Sequence, residues 1–248
     1  MLVDINDRSE FVTRFLSPIA KVSDSACITI SSERIKAVVT NADNSVVLVA
    51  MYEHVNEDVD DSVVLNVQNV NRLINLLSCL TTKDVKLTIS DNCIECLSED
   101  VKFKYHLLDD GILKVPSINI QKIKELKFDT NFIVPRESIA SIIKASSFTI
   151  DTEKIYIRTD GTKVVGELTD LQQANVDSFS RPIAMSFAGE PLTKPYPINF
   201  ETIRMIGSTR LDTNCDITAF VNQVNSVFIF DISCETSKLK YITSAYAE

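Results

Sequence analysis

The 248-residue chain has no tryptophan, two histidines and five glycines. His54 and His106 lie far apart, so a multi-histidine metal centre or a histidine-based triad has almost nothing to be built from. Gly111, Gly161, Gly166, Gly189 and Gly207 form no G-x-G-x-x-G and no phosphate-binding loop. No apolar run approaches the roughly 20 residues that cross a bilayer, so no membrane association is expected. The opening MLVDINDRSE lacks the basic-then-apolar order of a secretory leader. The expectation is a soluble protein of the cytoplasm. No residue set points to catalysis, a metal or a cofactor, and no enzyme is expected.

Basic charge is also in deficit: 34 acidic residues stand against 25 basic ones, a net charge of −9. Evenly spread, that charge argues against nucleic acid. The densest acid is Glu53 followed by Glu57, Asp58, Asp60 and Asp61, which lacks the glycine and spacing of a calcium loop and reads as solvated. The cysteines are Cys27, Cys79, Cys93, Cys96, Cys215 and Cys234, scattered through apolar stretches, and they read as reduced core thiols. Cys93 and Cys96 make a C-x-x-C, but their stretch alternates like a strand. Residues three apart on a strand point to opposite faces.

Four segments carry helical periodicity. Phe11, Val12, Phe15, Leu16 and Ile19 share a face, with Asp7 and Glu10 as a capping pair and Pro18 as a stop or bend. Val70, Leu73, Ile74, Leu77 and Leu80 line the second. Ile139, Ile142 and Ile143 line the third, with Pro135 in its first turn. Phe200, Ile203 and Ile206 line the fourth, with Gly207 as its stop. Short β-branched and aromatic stretches fill the intervals and read as strands, among them CITISS, SVVLVAMY, DVKLTIS, VKFKYHLL, KIYIRTD, TKVVGEL and SVFIFDIS. The chain is therefore α+β.

The helices begin near residues 8, 68, 136 and 200, and each interval holds one helix and several strands. This repeat of architecture predicts two similar domains of two units each. Residues 110–125 carry a glycine and a proline without clear periodicity, which places a linker between domains at 1–109 and 126–248. Its apolar residues, including Ile112, Leu113, Val115 and Pro116, predict that it packs along the surface.

The charge is not evenly spread. Segments 8–21, 68–83, 135–147 and 200–211 hold nine basic residues: Arg8, Arg14, Lys21, Arg72, Lys83, Arg136, Lys144, Arg204 and Arg210. They hold three acidic ones, Glu10, Glu137 and Glu201, so these segments are +6 and the rest of the chain is −15. At 100° per residue Arg14 and Lys21 fall opposite their apolar stripe. Arg72 lies opposite its own beside Gln68 and Asn75, Lys144 lies next to Ser141, and Arg136 flanks the isoleucines. Small polar residues with spaced cations suit phosphate contact that reads no base sequence. Met205 falls on the polar side of the fourth helix, and Glu137 and Glu201 weaken the positive field.

Three stretches resemble the sliding clamps, the processivity factors of DNA polymerases, and most closely the T-even-type bacteriophage clamp. They are LNVQNVNRLINLLSCLTTKDVKLTISDNCIECLSEDVKFKYHLLDD, FIVPRESIASIIKASSFTIDTEKIYIRTDGTKVVGEL and YPINFETIRMIGSTRLDTNCDITAF. The resemblance covers nearly the whole chain in order and spacing. It implies two clamp domains, each with two short helices packed on antiparallel sheets, and a homotrimeric ring around double-stranded DNA. The helix cations would face the DNA. Ile112, Leu113, Val115 and Pro116 would edge a pocket for the DNA polymerase, and a clamp loader would open the ring. If the chain is viral, its compartment is the cytoplasm of the infected host cell. A β-rich structural or scaffold protein of a virion, with no nucleic-acid role, is the alternative from another class.

Overall fold

The computed structural model describes residues 1–53, 62–90, 92–97, 101–116, 120–148, 153–169, 177–209 and 215–246. His54, the acidic residues at 57–61 and Arg210 lie outside these residues.

The chain forms two compact units. The first holds residues 1–117 with 209–211 and 234–239, and the second holds the rest. The first opens with β1 (Leu2–Ile5) and a helical segment, α1, made of three pieces: Arg8–Glu10, a wider π-type stretch Phe11–Leu16, and Ser17–Val22. Strands β2 (Ala26–Ile30), β3 (Arg34–Thr40), β4 (Val46–Glu53) and β5 (Val63–Val67) follow. Then come α2 (Val70–Ser78) and strands β6 (Val85–Ser90), β7 (Cys93–Leu97) and β8 (Lys102–His106).

The second unit opens with a short helix, α3 (Ile120–Glu125), inside the stretch expected to be an aperiodic linker. It continues with β9 (Thr130–Ile133), α4 (Arg136–Ala145), β10 (Lys154–Asp160), β11 (Lys163–Leu168), β12 (Phe179–Ala184), β13 (Ala188–Gly189) and β14 (Tyr196–Asn199). Helix α5 (Phe200–Ser208) and strands β15 (Asp216–Asn222), β16 (Val227–Ser233) and β17 (Ser237–Ser244) close the chain.

The expected repeat is present in the strand orders. The order β1-β6-β7-β8 in the first unit recurs in the second as β9-β15-β16-β17, with β13 added beyond β9. The order β5-β2-β3-β4 recurs as β14-β10-β11-β12. Helices α1, α2, α4 and α5 are thus each preceded by a strand and followed by a three-stranded meander. In each unit the leading strand joins the other repeat's meander: β1 pairs β6, β5 pairs β2, β9 pairs β15 and β14 pairs β10. This exchange makes each unit cooperative, because neither repeat has a complete sheet without the other.

The helices cover the sheets with apolar stripes. Phe11 stacks on Phe15 at 5.3 Å between ring centroids, and both pack on Tyr52 of β4. Val70, Leu73 and Leu77 are buried on α2. In the second unit Gly166 of β11 passes beneath α4, where a Cβ would stand 3.0 Å from the methyls of Ile142 and Ile183.

Several local expectations are corrected. Of the stop or bend expected at Pro18, the stop is not found: the helical segment runs on from the π-type stretch through Pro18 to Val22. Pro135 lies just before α4, as its N-cap residue. Gly207 lies within α5 and is not its stop; a Cβ there would come 2.2 Å from a methyl of Ile143 on α4, so glycine serves a close helix approach. Met205 is buried, because α5 buries an arc broad enough to take in Thr202 and Met205 beside Phe200, Ile203 and Ile206. The six cysteines are not uniform core thiols. Cys93 and Cys96 are buried and free, Cys79 is free and exposed, and Cys215 and Cys234 are disulfide-bonded.

Candidate nucleic-acid interface

Some of the cations singled out above stand on the exposed faces of α1, α2, α4 and α5. On α2 the N-cap Asn69 accepts the N–H of Arg72 at 2.8 Å and starts the helix. That register leaves Gln68, Asn71, Arg72, Asn75 and Ser78 exposed opposite the buried stripe. No carboxylate lies on this face. On α4 Lys144 is exposed and Arg136 half-buried, with Glu137 exposed in the first turn. Lys21 is exposed at the end of α1. Among the described residues, Lys21, Arg72, Arg136 and Lys144 make no ion pair.

The remaining cations are engaged. Arg204 lies 3.3 Å from Glu201 and over the Phe200 ring at 4.7 Å, so α5 presents a neutralised pair. Lys83 is exposed, 3.7 Å from Asp7. Arg8 donates to the carbonyls of Thr82 at 3.0 Å and Leu77 at 3.2 Å. It thereby ties the start of α1 to the C-terminal end of α2, where a cation is favoured.

Arg14 requires a correction. It does not lie opposite the apolar stripe but is buried, 2.8 Å from Glu10. The 100° wheel fails there because Phe11–Leu16 is a π-type stretch, which turns less per residue. Glu10 also accepts from the Thr236 hydroxyl at 2.9 Å. Tyr52 packs against this cluster, and burial, followed by the charges of Glu10 and Asp7, pushes its hydroxyl pKa up to about 12. Arg14 opposes that shift.

The segment expected to receive partners is pinned at one end and exposed at its apolar residues. The Leu108 N–H donates to the Asn66 carbonyl, and Asn66 Nδ2 donates to Asp110 at 2.8 Å. The Cys27 thiol lies between Asn66 Oδ1 and the Leu113 carbonyl, its pKa raised by burial and by Asp110. Ile112 and Val115 stay 57% and 58% exposed, while Leu113 and Pro116 are half-buried. Sequence reasoning missed Asn66 and Asp110, because their roles come from pairings 44 residues apart.

Among the described residues no helix is long and apolar enough to cross a membrane, and no group of three acidic, cysteine or histidine side chains is placed to hold a metal.

No protein-family model and no curated protein sequence matches the chain. Solved structures do match in fold. The A. fulgidus PCNA structure with the C-terminal region of FEN-1 bound aligns with a TM-score of 0.78 at 16% identity, covering 100% of this chain and 98% of the other. PCNA from Entamoeba histolytica aligns at 0.75 and 15% identity, over 99% and 98%. A putative DNA polymerase III beta subunit from Eubacterium rectale aligns at 0.72 and 13%, over 100% of this chain and 66% of the other. The fold is the two-domain sliding-clamp fold. Its neighbours are clamp proteins, and the likeness to PCNA extends over nearly the full length of both chains.

Proposed function

We propose that the chain is a sliding clamp of the T-even bacteriophage type. Three copies close into a ring around double-stranded DNA, and the ring tethers a DNA polymerase without catalysing a reaction or binding a cofactor. The observation that carries this reading is the segregation of charge on the clamp fold. A chain of net charge −9 keeps cations that make no ion pair, among the described residues, on the exposed faces of α1, α2 and α4. A duplex held by enclosure needs only weak, sequence-independent phosphate contacts, and outer acid disfavours DNA elsewhere.

The nine cations then divide. Lys21, Arg72, Arg136 and Lys144 are the primary DNA contacts. Lys83 and Arg204 contribute after exchanging a carboxylate for phosphate, and Arg8 and Arg14 hold the helices in place. Arg210 remains a DNA contact on sequence grounds. Residues 1–109 and 126–248 act as the two clamp domains, with 110–125 between them. Ile112, Leu113, Val115 and Pro116 receive the polymerase peptide. In the A. fulgidus structure it is a C-terminal region of FEN-1 that binds PCNA. An ATP-driven clamp loader opens the ring, in the cytoplasm of the infected cell.

Ring closure has a candidate in the strand order. β8 and β12 are terminal strands of their sheets. β4, the counterpart of β12, is covered near Glu53, whose N–H donates to the Thr236 carbonyl. Open edges invite strand pairing with another chain. A head-to-tail contact of β8 on one copy with β12 on the next is heterologous, and such a contact closes into a ring when its rotation permits. Light scattering tests the assembly. The chain mass is 27.7 kDa, so a trimer scatters at three times that, about 83 kDa. A monomer or a large open assembly contradicts the reading.

A further inference from the structure

The two units share their strand orders, so chemistry that differs between equivalent sheets belongs to this chain and not to the fold. The solvent face of the β1-β6-β7-β8 sheet carries Lys86, Lys102 and Lys104 around Leu97, which is 77% exposed. The registers place them together: Leu97 pairs with Lys102, Glu95 with Lys104, and Thr88 with Glu95, so Lys86, two residues from Thr88, shares that face. The equivalent strands carry Asp216, Asp231, Lys238 and Lys240, and there both lysines are paired, Lys240 with Asp231 at 2.7 Å and Lys238 with Glu53. A cluster of three lysines runs against the acidic character of the chain outside its helices.

We propose that this face, centred on Leu97 and flanked by Lys86, Lys102 and Lys104, docks an acidic protein segment bearing an apolar side chain. Complementary charge supplies steering and register, and the exposed leucine supplies an apolar anchor. Lys102 has no ion pair among the described residues and is available at once. Lys104 lies 2.9 Å from Glu95 and Lys86 3.7 Å from Asp4, both solvated pairs that exchange carboxylates at little cost. Nucleic acid fits less well. Leu97, exposed at the centre of the face, would have nothing apolar to meet on a phosphate backbone. Ring closure as proposed would use the edge of β8 and this inference its solvent face, so the inference requires neither a closed ring nor DNA.

The test uses the full chain and a short labelled Asp/Glu peptide with a central Leu-Phe pair, followed by fluorescence anisotropy. Saturable binding is expected. It should weaken about tenfold, equivalent to 1.4 kcal/mol, when Lys102→Glu and Lys104→Glu are combined. Leu97→Ser, or a peptide with Ser-Ser at its centre, should weaken it by a similar factor. Lys102→Arg should retain binding, and the thermal melt should be unchanged in every variant. Absence of saturable binding overturns the proposal, as does binding indifferent to these substitutions. It is also overturned if linear duplex DNA binds the chain and is lost in the Lys-to-Glu variant while the peptide is not.

Discussion

The two units solve one packing problem in different ways. Each must hold two helices on sheets of the same strand order. In the first unit the join is polar: Arg8 binds carbonyls at and just beyond the end of α2, and buried Arg14 and Tyr52 cluster with half-buried Glu10 and Thr236. In the second it is steric: Gly207 of α5 gives way to Ile143 and Ile139 of α4. Strand order and apolar stripes therefore define the architecture, while the glue between helices is free to vary. The difference also divides the cations, because α1 spends two of them internally while α2 and α4 present theirs to solvent.

The first way to break this comparison is to remove the polar glue. Arg14→Met leaves Glu10 partly buried without its partner. We expect a loss of about 3 kcal/mol, at the low end for a broken buried pair because Glu10 retains some solvent. Denaturant unfolding measures it, and a loss below about 0.5 kcal/mol would make Arg14 a surface cation after all.

Alkaline titration comes next. Tyr52 has its folded pKa raised from 10.0 to about 12. Its contribution is fully present below pH 10 and is lost as pH rises through about 12, because the unfolded chain ionises first. The loss should be roughly 2 kcal/mol, and Tyr52→Phe should remove that part of the pH dependence.

A similar or slightly smaller effect is expected from the steric glue. Gly207→Val forces a side chain into Ile143 and should cost about 2 kcal/mol, read from the same unfolding curves. Pairing it with Ile143→Ala should recover part of the loss, since the added volume then has somewhere to go. The smallest effect belongs to Arg72→Ser. It is exposed and makes no ion pair among the described residues, so stability should move by no more than about 0.5 kcal/mol while the salt dependence of DNA retention falls.

How much of this was legible in the sequence depends on the range of the interaction. The four helices follow from periodicity, and so does their repeat. The strands that precede them, LVDI, VVLNV, TNFI and YPIN, were not among the stretches read as strands. Each is four or five residues long and runs directly into a helix start, and each finds its partner in the other repeat's meander. No local pattern reports such a partner. Among the site residues, Arg72 and Lys144 are exposed as their helical wheels place them, because α2 and α4 are regular helices. Arg14 was misplaced because a π-type stretch changes the angular step, and nothing in FVTRFL announces one. Met205 was misplaced for a different reason: its helix is buried over a wider arc than its isoleucines imply.

The central claim is enclosure, and retention on DNA tests it most directly. The protein, loaded on closed circular duplex and moved to high salt, should stay bound and then escape when the circle is linearised, since exposed phosphate contacts are screened but a closed ring is not. Equal retention on linear and circular duplex, or loss from the closed circle in high salt as fast as from a linear fragment, would contradict it.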